Sequence, residues 1–276
     1  MTRNRRILAG VSVAASLALG LSACSSSGAE EADGAATDGG LGTITVGALA
    51  VPAGDMLKYV AEDLAPEAGL TVEYQEFSDY NTPNMGVVDG DVDANLFQNT
   101  TFLETFNEAN GEDLVSVGQV YLPPMALYSN DYDAVEDLPE GATVAIPNDP
   151  TNEGRALKLL AEHGLIEVTA EPVTIADITA NPKNLEFTEL ENATLPQAVN
   201  DQDAAIVTAA FALPAGLTTE QQLVVEGTDS TYFNVLATTP ELADDPRVTK
   251  LYELLTSDEM STWLQEEYDG VIVPAE

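Results

Sequence analysis

The stretch ATVAIPNDPTNEGRALKLLAEHG (142–164) decides how this chain folds. Its first six residues form an apolar run that stops at Pro147, as a buried strand does. NDPTN follows, a cluster of turn formers, and a helix is predicted from about Thr151 or Asn152 to residue 164. Strand, tight turn and helix make half of a βαβ unit, in which ligands sit at the carboxyl ends of the strands. The start of the helix offers unpaired N–H groups and partial positive charge, which suit a carboxylate or a phosphate. Arg155 lies in about the first turn, where its planar fork would add a bidentate contact. The alternative is an ordinary surface ion pair with Glu153 or another acid. With 47 Asp+Glu against 9 Lys+Arg, and no other arginine between Arg6 and Arg247, acids for such a pair are plentiful.

The same grammar extends outward. Upstream, TITVGAL (43–49), LTVEYQEF (70–77), VDANLF (92–97) and LVSVGQVY (114–121) read as strands or extended segments. Between them, DMLKYVAEDLA (55–65), PNMGVVDG (83–90) and TFLETFNEAN (101–110) read as helices. Downstream come the strands LEFTEL (185–190), DAAIVTAAF (203–211) and NVLATT (234–239), a short helix LPQAV (195–199), and one long helix from about 245 to 268. This alternation predicts an α/β fold with mostly parallel sheets covered by helices. Two βαβ-rich halves imply two lobes with a cleft between them. Crossings are expected at YLPPMALYSN (121–130), where two prolines interrupt an apolar run, and at STYFN (230–234). That assigns 43–123 and 235–276 to lobe 1 and 124–234 to lobe 2.

At the amino end, Arg3, Arg5 and Arg6 precede an apolar run over 7–21, and no acid occurs before Glu30. This is a secretory signal over residues 1–23 rather than a spanning helix, because the run is too short and no stop-transfer flank follows. Leu21-Ser22-Ala23-Cys24 matches a bacterial lipobox, and Cys24 is the only cysteine, so it has no internal disulfide partner. The expectation is acylation of Cys24 and anchoring on the extracytoplasmic face of the cell membrane. The low-complexity SSSGAEEADGAATDGGLG (25–42) then acts as a flexible acidic linker, spanning about 24 Å on average.

Composition narrows the function. At 276 residues and 45% hydrophobic content the chain can bury a proper core. A net charge of −38 excludes nucleic acid and anionic lipid surfaces as partners. DGDVDAN (89–95) suggests a calcium loop, but Ala94 stands at the turn-glycine position and Thr100 at the bidentate-glutamate position. With one histidine, His163, and one cysteine there is no N/S cluster for zinc or iron, and no cofactor is implied. His163, near a helix end, fits a capping role favoured by the dipole. No G-x-S-x-G occurs and His163 has no evident partner, so no nucleophilic enzyme is indicated. Tyr80, Phe97, Phe102, Tyr121, Tyr128, Phe211, Tyr232 and Phe233 fall mostly at strand ends or in loops. Most are core residues, yet such aromatics could also wall a cleft for a small zwitterion with an apolar tail.

FSDYNTPN (77–84), DGDVDANLFQN (89–99), AIPNDPTNEGRALKLLAEHGLI (145–166), NPKNLEFTELENATLPQAV (181–199) and GVIVPA (270–275) together resemble the methionine-binding lipoproteins. These are the NlpA-type solute-binding proteins of ABC importers, and the likeness runs in collinear order from about residue 43 to the end. The resemblance implies a periplasmic-binding-protein-like fold, two α/β lobes closing on a ligand. It implies a ligand carboxylate held by Arg155, with Asn152 in the same motif, aromatic walls at Tyr80 and Phe97, and a polar contact from Asn234 in STYFN. An ABC permease and its ATPase are the implied partners.

The chain also departs from that pattern. Asn99 stands where the family usually has histidine, Phe102 where it has tyrosine, Thr208 where it has an amide, and Phe211 where it often has tyrosine. These changes keep the arginine but alter the hydrogen bonding around the rest of the ligand, and such changes shift specificity. Methionine of either hand, a methionine-containing dipeptide and another apolar amino acid are all open. A surface lipoprotein with an adhesin or assembly role is the alternative, against which the retained Arg155 and Asn234 argue.

Overall fold

The structure is a computed structural model that describes residues 40–275. The signal sequence, Cys24 and most of the linker lie outside the described residues. Along the chain come β1 (Gly42–Leu49), β2 (Leu70–Phe77), β3 (Ala94–Asn99), β4 (Val115–Leu122), β5 (Met125–Tyr128) and β6 (Thr143–Pro147). A small hairpin-like pair, β7 (Glu167–Val168) and β8 (Ile178–Ala180), precedes β9 (Glu186–Leu190), β10 (Ala204–Thr208) and β11 (Gln222–Val225). β12 (Asn234–Thr238) and β13 (Val273–Pro274) follow. The helices are α1 (Asp55–Tyr59), α2 (Pro83–Val88), α3 (Thr100–Asn110), α4 (Pro150–Glu162), α5 (Leu195–Ala198), α6 (Ala209–Ala212), α7 (Pro246–Leu255) and α8 (Asp258–Glu267).

Two mixed sheets organise these elements: a six-stranded one in the order β13-β4-β12-β3-β1-β2 and a five-stranded one in the order β11-β5-β10-β6-β9. Each has a parallel part, β2-β1-β3 in one and β10-β6-β9 in the other. The remaining strands pair antiparallel: β12 with β3 and β4, and β5 with β10 and β11. The expectation of mostly parallel sheets is therefore corrected. The antiparallel strands β4, β5, β11 and β12 flank the points where the chain leaves one sheet for the other. Among them β12 and β5 are the strands that run against the parallel set of their sheet, while β4 and β11 run with it on the far side of that reversed neighbour.

The chain changes sheets twice, through Pro123-Pro124 between β4 and β5, and through residues 226–233 between β11 and β12. Neither proline has an N–H to offer a ladder, which ends pairing there. Both are buried, and their carbonyls accept from Arg155 Nη2 (3.0 Å) and Ala209 N (2.9 Å).

Each lobe has its own core. Ile44, Val46, Met56, Leu57, Leu96, Leu236, Leu251 and Leu264 fill one side of the six-stranded sheet. Val144, Ile146, Leu157, Leu160 and Ile206 fill one side of the other. A third cluster joins the lobes, combining Leu49 and Phe97 with Ala126, Ala205, Val207 and Phe211, and Tyr80 and Phe102 pack against it. Burying one such large side chain contributes about 1.5–3 kcal/mol, so this shared cluster is a strong apolar seam.

Two further expectations are corrected. The helix expected over 245–268 is two helices, because Ser257 turns extended and accepts from Met260 N (3.2 Å) as the cap of α8. The strand expected over 92–97 is β3 over Ala94–Asn99, which Asp93 precedes. Its carboxylate accepts from Thr45 N (2.8 Å) and its carbonyl from Thr238 Oγ1 (2.6 Å), ties that serve the sheet. The NPKN motif is also structural, since Lys183 Nζ donates to the carbonyls of Val135, Glu136 and Leu138 at 2.8–3.0 Å. His163 is the C-cap residue of α4.

Candidate ligand-binding site

α4 starts at the carboxyl end of β6, as its turn residues require. Asp149 caps it, accepting from Asn152 N (2.9 Å), and also accepts from the side-chain amides of Asn152 (3.1 Å) and Asn192 (2.7 Å). The protein's own carboxylate thus occupies the helix start, which corrects the expectation of an open anion site there. Asn152 is 3% exposed and turned to this cap. One residue later Glu153 is buried and accepts from Ile175 N (2.7 Å). Burial, with Glu189 and Asp149 nearby, pushes its carboxyl up to about 7. Gly154 leaves room for the Pro172 carbonyl, with which a methyl group would collide.

Arg155 sits deeper and is only 3% exposed. Its partner is neither Glu153 nor a surface acid but Glu226, in the second crossing segment. Nε donates to Glu226 Oε1 (3.0 Å) and Nη2 to Glu226 Oε2, while Nη2 also donates to the Pro123 carbonyl (3.0 Å) in the first crossing. The Tyr232 ring covers one face of the guanidinium, 4.8 Å from its central carbon. One side chain therefore touches both segments that join the lobes. A cavity of about 230 Å³ opens on the Tyr232 side, with a polar lining that includes Lys158, Glu162, Asp229 and Ser230.

Tyr80, Phe97, Phe102 and Phe211 form a quartet of rings, with centroids 4.9–5.9 Å apart across the pairs that Tyr80 makes and 5.7 Å between Phe97 and Phe102. Phe211 comes from lobe 2 and the others from lobe 1, so the quartet straddles the cleft. Tyr80 Oη and Thr208 Oγ1 share a hydrogen bond across it (3.3 Å). Burial pushes the Tyr80 hydroxyl up to about 12, against smaller opposing pulls from Thr208 and the nearby Arg155 charge. Asn81 Nδ2 to Glu191 Oε2 (3.1 Å) and Thr105 to Thr151 (3.4 Å) also span the lobes.

A buried amide network ties α2 to β3, the strand that carries Phe97. Asn84 donates to Gln98, Gln98 to Asn84 and Asn95, and Asn95 to Asn84 and the Pro83 carbonyl. This gives FSDYNTPN and ANLFQN a physical reason to occur together. Asn234 is 3% exposed and donates through Nδ2 to the Phe97 carbonyl (2.9 Å) and to Tyr121 Oη (3.0 Å). Those two bonds fix the amide and leave Oδ1 as an acceptor with no partner among the described residues. Asn99 accepts from Phe102 N (3.0 Å) and so caps α3.

The structure thus gathers Tyr80, Phe97, Phe102 and Thr208 in one seam, with Asn234 behind Phe97 and Arg155 within electrostatic reach of Tyr80. Asn99 and Asn152 serve helix starts. Sequence reasoning missed Glu226 and Tyr232 as partners of Arg155, and left Phe211 out of the site. Tyr232 lies inside STYFN, so its motif held the signal. Glu226 lies 71 residues from Arg155 and carried none.

Two α/β lobes joined by two crossings, with polar and aromatic groups meeting between them, define the architecture of the periplasmic substrate-binding proteins. A solved structure of that class, the ABC-transporter periplasmic substrate-binding protein from Coxiella burnetii, matches with a TM-score of 0.81 at 37% identity, over 84% of this chain and 100% of that one. The chain belongs to the NlpA lipoprotein family, whose model matches residues 44–276. It is 37% identical over 235 residues to the D-methionine-binding lipoprotein MetQ of Salmonella typhi, covering 82% of this chain and 86% of that protein. The nutrient-binding protein of Burkholderia cenocepacia, solved bound to methionine, matches with a TM-score of 0.80 at 36% identity, over 84% of this chain and all of that one. Among the described residues, no helix is long and apolar enough to cross a membrane.

Proposed function

We propose that this chain is the substrate-binding protein of an ABC importer, anchored through acylated Cys24 on the extracytoplasmic face and feeding a membrane permease. Its ligand is methionine or a closely related apolar amino acid or methionine dipeptide, taken up between lobe 1 (43–123 and 235–276) and lobe 2 (124–234). The observation that carries this reading is a buried guanidinium within electrostatic reach of an aromatic quartet contributed by both lobes. In this reading Arg155 takes the carboxylate and Asn234 Oδ1 takes the ammonium. The Thr208 hydroxyl hydrogen-bonds at the polar end, and Tyr80, Phe97 and Phe102, with Phe211, enclose the apolar tail. Asn99 and Asn152 act indirectly, by fixing the helix starts beside the site.

Opening and closing of the lobes is a population shift that the ligand drives by binding the closed form better. The rings of the quartet touch one another, so a side chain enters by parting the lobes. A zwitterion is not repelled by the acidic surface, because its net charge is zero.

The test is thermal melting of the soluble chain lacking the first 24 residues, refolded to strip bound ligand, against amino acids and dipeptides. A ligand at 100 times its dissociation constant should stabilise the protein by about 2.7 kcal/mol. The absence of a shift with every panel member would sink the proposal.

A further inference from the structure

We propose that Glu226 is a positioning residue for Arg155: it grips one edge of the guanidinium so that the other edge, Nη1, is the one offered to a ligand carboxylate. This rests on the functional reading above. A guanidinium carries five N–H donors. Nε spends its one on Glu226 Oε1, and Nη2 spends its two on Glu226 Oε2 and the Pro123 carbonyl. The two donors of Nη1 make no hydrogen bond among the described residues. The Tyr232 ring lies over one face, so the plane is held as well as the edge.

The carboxylate of Glu226 is equally committed. Oε1 accepts from Arg155 Nε and from Ser230 Oγ (2.9 Å), and Oε2 accepts from Arg155 Nη2 and from Met125 N (3.1 Å). Two bonds per oxygen fill the usual capacity of a carboxylate. Glu226 therefore has no lone pair to spare for a ligand ammonium. Nor is it a stand-in for the ligand, because leaving Arg155 would strand a carboxylate whose side chain is 11% exposed and already tied to a backbone N–H. The pair has no net charge, so it does not concentrate free anions. It presents geometry in place of raw attraction, which suits a ligand bearing both charges.

The experiment compares wild type, Glu226→Gln, Ser230→Ala and Arg155→Ala by calorimetric titration, with methionine, its desamino analogue 4-(methylthio)butanoate and methioninamide. Glu226→Gln keeps the shape but sets an amide N–H against Nη2. Methionine and its desamino analogue should both weaken by the same factor, about tenfold or more, and the preference for carboxylate over carboxamide should shrink. Ser230→Ala removes one bond to Glu226 and the acceptor of Tyr232 N (3.1 Å), and should give the same pattern at about threefold with a small drop in melting; it decides the matter if Glu226→Gln does not fold. Tighter binding in either variant would make Glu226 a competitor, and a loss confined to the ammonium-bearing ligands would make it a ligand contact. Either result overturns the proposal, as does unchanged affinity. If wild type binds nothing, or Arg155→Ala still binds, the functional reading falls too. If Arg155→Ala loses binding while Glu226→Gln and Ser230→Ala keep it, only this inference falls.

Discussion

The aromatic quartet and the Arg155 junction lie within electrostatic reach of each other yet are built on opposite principles. The quartet draws its rings from both lobes and holds together by apolar contact and one hydrogen bond, Tyr80 to Thr208. The junction is fixed from lobe 2 and the two crossings alone, with charge-assisted bonds in defined directions. In the lobe opening proposed above, the rings of the first would part while the bonds of the second would stay in place. Under the proposed function, the fixed part would meet what all amino acids share and the adaptable part what distinguishes them.

That contrast can be broken by mutation. The largest effect is expected from Arg155→Ala, which should cut affinity for any carboxylate ligand by about a hundredfold or more in calorimetry. An equal loss for methionine and methioninamide would show that the junction is not the carboxylate contact. Phe97→Ala comes next. It removes a ring that is 3% exposed and packed against Tyr80 and Phe102, and should lower unfolding free energy by about 3–5 kcal/mol in urea titration. Tyr80→Phe removes only the Tyr80–Thr208 bond, one of three that span the lobes, and should cost about 1 kcal/mol, read as weaker ligand-induced stabilisation with little change in ligand-free melting.

A separate effect is one of pH. Glu153 has its folded-state pKa raised to about 7 from the ordinary carboxyl value of 4.5, so between those values the folded form binds the proton that the unfolded form has released. Stability from this group is therefore lost as pH rises through that window. Glu153→Gln should melt higher than wild type at pH 8 and alike at pH 4. The reverse order would mean that Glu153 is stabilised as the anion, by Ile175 N.

Much of this was legible in the sequence. The strand, turn and helix over 142–164 could be read because Pro147, Asp149 and Pro150 punctuate it locally. The placement of the crossings rested on Pro123-Pro124 and STYFN, which are equally local. The direction of strand pairing was not readable, since β4, β5, β11 and β12 carry the same apolar runs whichever way they lie. The break at Ser257 was hidden because Leu251, Leu255, Met260 and Leu264 keep nearly helical spacing through it. Glu226 could not be singled out from 47 acids, as nothing in its neighbours marks it as the acid that faces Arg155.

The proline pair of the first crossing has a mechanical consequence. Both of its carbonyls are claimed by lobe 2, through Arg155 and the amide of Ala209, and its rings have fixed torsions. The pair must ride with that lobe as one stiff arm. In the proposed opening, bending of this crossing would fall to the backbone on the amino side of Pro123, around Leu122, at the border of the six-stranded sheet.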